Sequence, residues 1–225
     1  MSVFGDLGKY LSSPANQEEV LYGLLQHVLL SLVPVLIGLL LAIPLGWVAQ
    51  RTRVLRTLFL GTANIVYTVP SLALFVVIPG LIGTRITDPV NVVVALTVYT
   101  TALLVRPVIE ALDALPTPVL AAATAIGFRP VHRFFTVDLP LSVPVLTAGV
   151  RVASVSNISL VSVGALIGVG GLGVLFTNGF SVQYLPPIVV GIVLTLLLAA
   201  LVDLGWVALR RLLTPWTRVG VGGAP

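Results

Sequence analysis

Five apolar stretches, at roughly 22–49, 57–80, 89–111, 141–167 and 184–209, decide what this chain can fold into. A bilayer's hydrocarbon core takes about 20 mostly apolar residues of helix to cross, and each stretch reaches that length. Of the 225 residues, 57% are hydrophobic and 9% are charged, whereas a soluble domain carries about 25% charged residues. Lipid offers no partners to backbone N–H and C=O groups, so only helices and closed barrels cross it. Nothing in these runs suggests strands. The expected class is therefore all-α and integral to the membrane, with about five transmembrane helices. Pro34, Pro44 and Pro70 fall inside the runs, so kinks are expected there.

The chain ends and the basic residues suggest an orientation. Residues 1–21 carry Asp6, Lys9, Glu18 and Glu19 and lack an apolar core, so they do not read as a cleavable signal. They read as a short external segment ahead of a membrane domain at 22–212, which is followed by a cytoplasmic tail at 213–225. Asn16, followed by Gln17, Glu18 and Glu19, is a reasonable helix start. Five spans put the termini on opposite sides. With the N-terminus outside, Arg51, Arg53, Arg56, Arg106, Arg129, Arg133, Arg210, Arg211 and Arg218 fall on the inner side. Lys9 and Arg85 fall outside, a split that matches the positive-inside rule. That rule accounts for the net charge of +4 without nucleic acid, and no long basic tract exists. The absence of cysteine excludes disulfides, thiolate metal sites and cysteine nucleophiles.

Residues 117–140, TPVLAAATAIGFRPVHRFFTVDLP, interrupt the apolar pattern on the inner side. Thr117 can cap a helix whose first position is Pro118, and Ala121, Ala122 and Ala123 favour its continuation. Gly127 supplies the left-handed position that ends a helix. Pro130 can open a second short helix containing Arg133, and Leu139-Pro140 returns the chain to an apolar run. Two short helices around a glycine hinge suit docking to a soluble partner. The pattern resembles the cytoplasmic signature of permease subunits in binding-protein-dependent ABC importers. That signature reads Glu-Ala-Ala, three residues, Gly, then a basic and aromatic stretch ending in Leu-Pro. This chain departs from it at Ala121, where Glu is usual. The resemblance implies an ATPase-coupling role for Ala121, Ala122, Ala123, Gly127, Phe128, Arg129, Pro130, Arg133, Leu139 and Pro140.

Other motifs sort into chemistry and packing. Gly168-Val169-Gly170-Gly171-Leu172-Gly173 matches a dinucleotide fingerprint by accident, because it follows a membrane helix and no carboxylate stands about 20 residues on. It reads as a flexible external loop with close backbone packing. No GxxxxGK[ST] loop exists, so the chain binds no nucleotide by that motif, and ATP and Mg would sit on a separate ATPase. The run from Asn64 to Phe75 resembles the Gln-Thr-Ile-Pro-Ser-Leu-Ala-Leu run of glycine betaine, carnitine and choline importer permeases. Tyr67 stands where Gln is common. Tyr67, Thr68, Ser71, Tyr99, Ser154 and Asn157 are translocation-path candidates, with helix packing as the alternative reading. Arg151 reads as a structural anchor or a snorkelling cation. Asp203 reads as pairing or capping near the inner face, and Glu110, Asp113 and Asp138 as solvated helix ends. His27 and His132 lack companions at metal-ligand spacing, so no metal site is expected.

The resemblance covers about residues 22–212. It implies an osmoprotectant-type permease, a second permease subunit (identical or paralogous), a cytoplasmic ABC ATPase and an external substrate-binding protein. It places the chain in a bacterial cytoplasmic membrane. The same machine importing methionine is the nearest alternative. A secondary transporter would call for buried acids in mid-span or an inverted repeat. A membrane-embedded enzyme would call for paired catalytic side chains.

Overall fold

Helix α2 (Pro14–Ala49) makes its most extensive contact with α5 (Pro89–Asp113). It opens with Pro14, whose missing N–H costs nothing in a first turn. Its 36 residues make a rod about 54 Å long, well beyond the hydrocarbon thickness. Gly38, Ala42 and Gly46 recur every fourth residue and form a flat seam against α5 (Pro89–Asp113). A Cβ at Gly38 would lie 2.6 Å from the Thr100 side chain, and one at Gly46 would lie 2.4 Å from Val108 Cγ1. Helices in lipid associate by such close packing and by hydrogen bonds, since lipid tails give no hydrophobic drive.

This computed structural model describes residues 3–218, and among them there is no strand. Ahead of α2 lies α1 (Val3–Ser12). The first long helix therefore starts at Pro14 rather than near residue 22, and Asn16 is not its cap. Instead, the Asn16 and Gln17 carboxamides donate to Tyr10 O at 2.9 Å and Leu11 O at 2.7 Å, tying α1 to α2.

The second span is broken rather than kinked. Helices α3 (Arg53–Thr68) and α4 (Ser71–Ile82) meet at 102°. Pro70 has no N–H, and it holds Val69 in an extended conformation at φ −66°, ψ 130°. The carbonyl of Val69 takes the Tyr99 hydroxyl instead. Arg56 at the start of α3 reaches Asp113 at the end of α5, at 2.7 Å. Phe75 and Ile78 of α4 pack on Val92, Ala95 and Leu96 near the start of α5. Both halves of the bent pair thus pack on α5, and the described residues hold four helices long and apolar enough to cross a membrane, or five spans with the bent pair counted as one.

After α5 come α6 (Thr117–Ala125) and α7 (Pro130–Arg133). Helix α7 does not stop at Leu139-Pro140. It passes through a π turn at Phe134–Asp138 straight into α8 (Leu139–Gly164). The ring of Pro140 crowds the carbonyl four residues back, so the ladder widens and Leu139 N–H bonds to Phe134 O. A 38-residue helical unit, Pro130–Ile167, results. A further helix, α9 (Gly173–Ser181), stands where the sequence suggests only loop, and α10 (Leu185–Leu213) closes the bundle. Of the expected tail at 213–225, residues 219–225 lie outside the described residues.

Gly46→Leu should lower stability by about 1–3 kcal/mol through overpacking of the α2–α5 seam. Gly61→Ala meets nothing within 4 Å inside α3 and should raise stability by up to about 1 kcal/mol, since alanine favours a helix interior. Unfolding midpoints in detergent check both.

Candidate functional site

One end of the bundle gathers α6, α7 and the π turn. Pro116 takes the cap position of α6, so Thr117 opens the helix and Pro118 is second, one residue off the sequence expectation. The helix ends in a Schellman motif. Gly127 N–H bonds to Thr124 O at 3.0 Å, and Phe128 N–H reaches Ala123 O at 3.1 Å. Gly127 has φ +91° and open space around its Cβ position, so backbone conformation alone requires glycine there.

Arg133 joins the two halves of this element. Its guanidinium donates to Thr124 Oγ1 of α6 at 3.1 Å and to Asp138 Oδ2 of the π turn at 3.4 Å. Asp138 Oδ1 lies 3.3 Å from Arg133 Nε without hydrogen-bond geometry. Asp138 is only 2% exposed, so it is a buried partner of Arg133 and not a solvated helix end. Phe134 stacks on Trp47 of α2 with centroids 5.0 Å apart, and Arg51 sits 4.1 Å above the Trp47 ring. Phe128 meets His132 edge-on at 4.6 Å. Ala121, Ala122, Arg129, Pro130, Ile126, Val131 and Phe135 are exposed, while Ala123 is buried and Leu139 and Pro140 are half-buried. The element thus shows solvent an apolar and basic face while its base is fixed to α2 and α8.

The path candidates divide into two groups. Tyr67 and Tyr99 meet edge-to-face at 6.0 Å beside the α3–α4 break, with Thr68 and Ser71 on either side of it. Ser154 and Asn157 are buried among the helices. Asn157 Nδ2 donates to Thr100 Oγ1 at 2.9 Å and to Ser31 O at 3.2 Å, linking α8, α5 and α2. Ser154 Oγ accepts from Trp206 Nε1 at 2.9 Å, linking α8 to α10.

Two more ties were not legible as pairs in the sequence. Arg151 holds Asp203 through two bonds of 2.6 and 2.7 Å between α8 and α10. Each is the one charged residue in its apolar run, and that was the available signal. His27 is fully buried and bonds the glycine-rich loop. Leu172 N–H donates to Nδ1 at 3.1 Å, so Nε2 carries the proton that goes to Ile158 O at 2.9 Å. Gln26 Oε1 accepts from Gly171 N–H at 3.0 Å. The loop is therefore a packed, hydrogen-bonded turn with Val169 and Leu172 buried, rather than a flexible one. Nearby, outside the spans, burial and then the charges of Glu19 and Tyr184 push the Tyr10 phenol above its ordinary range.

Apolar helices long enough to cross a membrane, with a glycine-capped helix-turn-helix at one basic end, mark a multi-pass membrane protein. Residues 28–217 match the binding-protein-dependent transport system inner membrane component family, and the chain belongs to it. It is a transport permease subunit. It is 36% identical over 193 residues to the osmoprotectant import permease protein OsmW of Salmonella typhimurium, covering 84% of this chain and 89% of that protein. It is 32% identical over 200 residues to the choline transport system permease protein OpuBB of Bacillus subtilis, covering 89% and 91%. The fold matches a chain of the MetNI methionine ABC transporter in its inward-facing conformations with TM-score 0.81, at 22% identity, covering 90% of this chain and 99% of that one.

Breaking the α8–α10 pair by Arg151→Ala should destabilise the bundle, and the swap Arg151→Asp with Asp203→Arg should restore part of the loss. Melting of the single and double variants, compared as a double-mutant cycle, measures the coupling.

Proposed function

We propose that this chain is the permease subunit of an ATP-driven ABC importer for osmoprotectants, quaternary amines such as glycine betaine, choline and carnitine. The observation that carries this reading is its likeness to permeases named for osmoprotectants and choline along 84% and 89% of its length. In this reading ATP and Mg are held by a separate cytoplasmic ATPase that docks on residues 117–140. A second permease subunit, identical or paralogous, completes the path, and an external binding protein delivers the solute.

The orientation follows from charge. Arg51, Arg53, Arg56, Arg129, Arg133, Arg210 and Arg211 all belong to helix ends and connections at the docking end of the bundle. Placing that end in the cytoplasm satisfies the positive-inside rule and leaves the N-terminus outside. The physics of coupling is mechanical. Closure of the ATPase displaces α6 and α7, and α7 is continuous with a membrane-spanning helix. Reporter fusions near the two chain ends should read opposite compartments, and a shared compartment would overturn the five-span topology.

Vesicles carrying the assembled transporter should show ATP-dependent uptake of at least one of glycine betaine, choline and carnitine. Transport of methionine alone would refute the substrate class. Gly127→Val forces a side chain into the left-handed region at a cost of about 1–2 kcal/mol, confined to the loop. It should insert normally, bind the ATPase more weakly and lose uptake, as co-purification and transport assays will report.

A further inference from the structure

Beside the Tyr67–Tyr99 pair, α3 and α5 enclose a cleft of about 470 Å³, within the range of about 300–1,000 Å³ usual for small-molecule sites. Its α3 wall is a helical stripe that includes Asn64, Tyr67 and Thr68, and its α5 wall presents Ala102, Leu103 and Arg106. The chemistry along it is divided. An aromatic ring stands at the broken-helix end. Arg106 lies two turns beyond Tyr99 on the same face of α5, about 10 Å along the axis.

Arg106 and Asn64 have donors to offer. Arg106 faces Glu110 of its own helix at 4.0 Å, and both side chains are more than half exposed. Such an exposed pair is weak and gives way readily to another anion. Among the described residues, no partner bonds the Asn64 carboxamide. A quaternary ammonium carries no N–H and is held by an aromatic face. A carboxylate needs donors, and a guanidinium supplies them in a matching fork.

We infer that this cleft binds a zwitterion, with the quaternary ammonium against Tyr67 and the carboxylate on Arg106 and Asn64. The inference rests on the quaternary-amine reading above and goes further. It distinguishes betaine-like solutes, which carry a carboxylate, from choline, which does not, and it assigns that distinction to the permease itself.

The test uses the complete transporter with its own ATPase and binding protein in proteoliposomes. ATP-driven uptake of glycine betaine and of choline is measured for wild type, Arg106→Gln, Arg106→Lys and Tyr67→Leu. Each variant is normalised to wild type, so that delivery by the binding protein cancels. Arg106→Gln should lower glycine betaine uptake about ten-fold, the scale of one charge-assisted hydrogen bond, and leave choline within about two-fold. Arg106→Lys should keep much of the betaine uptake, and Tyr67→Leu should lower both. Equal loss of both solutes in Arg106→Gln, unchanged betaine uptake, or a wild type that moves choline alone would overturn the inference. A wild type that moves no quaternary amine would overturn the substrate reading, and the zwitterion site with it.

Discussion

Lipid supplies no partner for a freed amide or carbonyl, and where this chain leaves the helical ladder inside the bundle, a polar side chain closes the gap. The Tyr99 hydroxyl takes the carbonyl of Val69 at the α3–α4 break. His27 and Gln26 take the amides of Leu172 and Gly171 where the chain turns after α8. Asn157 answers Thr100 and the carbonyl of Ser31 where three spans meet. The Tyr99, His27 and Gln26 bonds let the bundle contain a broken helix pair and a packed glycine turn.

The same ties determine how a push travels. Arg133 binds α6 to the π turn, and the π turn is continuous with α8. Helix α8 is bonded to α2 and α5 through Asn157, and to α10 through the Arg151–Asp203 pair and the Trp206–Ser154 bond. In the proposed coupling, a displacement of α6 would reach α2, α5 and α10 through these bonds. The α3–α4 pair is held differently, by packing along α5, the Arg56–Asp113 pair at one end and the Tyr99 bond at its break. It carries the aromatic wall of the cleft proposed above to hold the zwitterion.

The spans were legible because continuous apolar runs of this length have one outcome in water and lipid. Gly127 was legible for a related reason: an Ala-rich helix followed by Gly and then Pro predicts a left-handed cap. Pro70 was harder, since Pro34 and Pro44 look the same in sequence yet stay inside α2. What differs is tertiary, namely a tyrosine hydroxyl placed to donate to the Val69 carbonyl at the break. Pro140 misled in the opposite direction, because a π turn carries the helix through a residue that more often stops one. The bonding of His27 and Asn157 lay beyond the sequence, since several of their partners are backbone atoms more than a hundred residues away.

The claim on which the rest hangs is that the end bearing α6 receives the ATPase and the opposite end faces the external partner. Photo-cross-linkers at Ile126 and at Phe180, 75% and 81% exposed at opposite ends of the bundle, test it in the assembled complex. The account predicts that Ile126 captures the ATPase and Phe180 does not. Capture of the ATPase at Phe180, or its absence at Ile126, would contradict it.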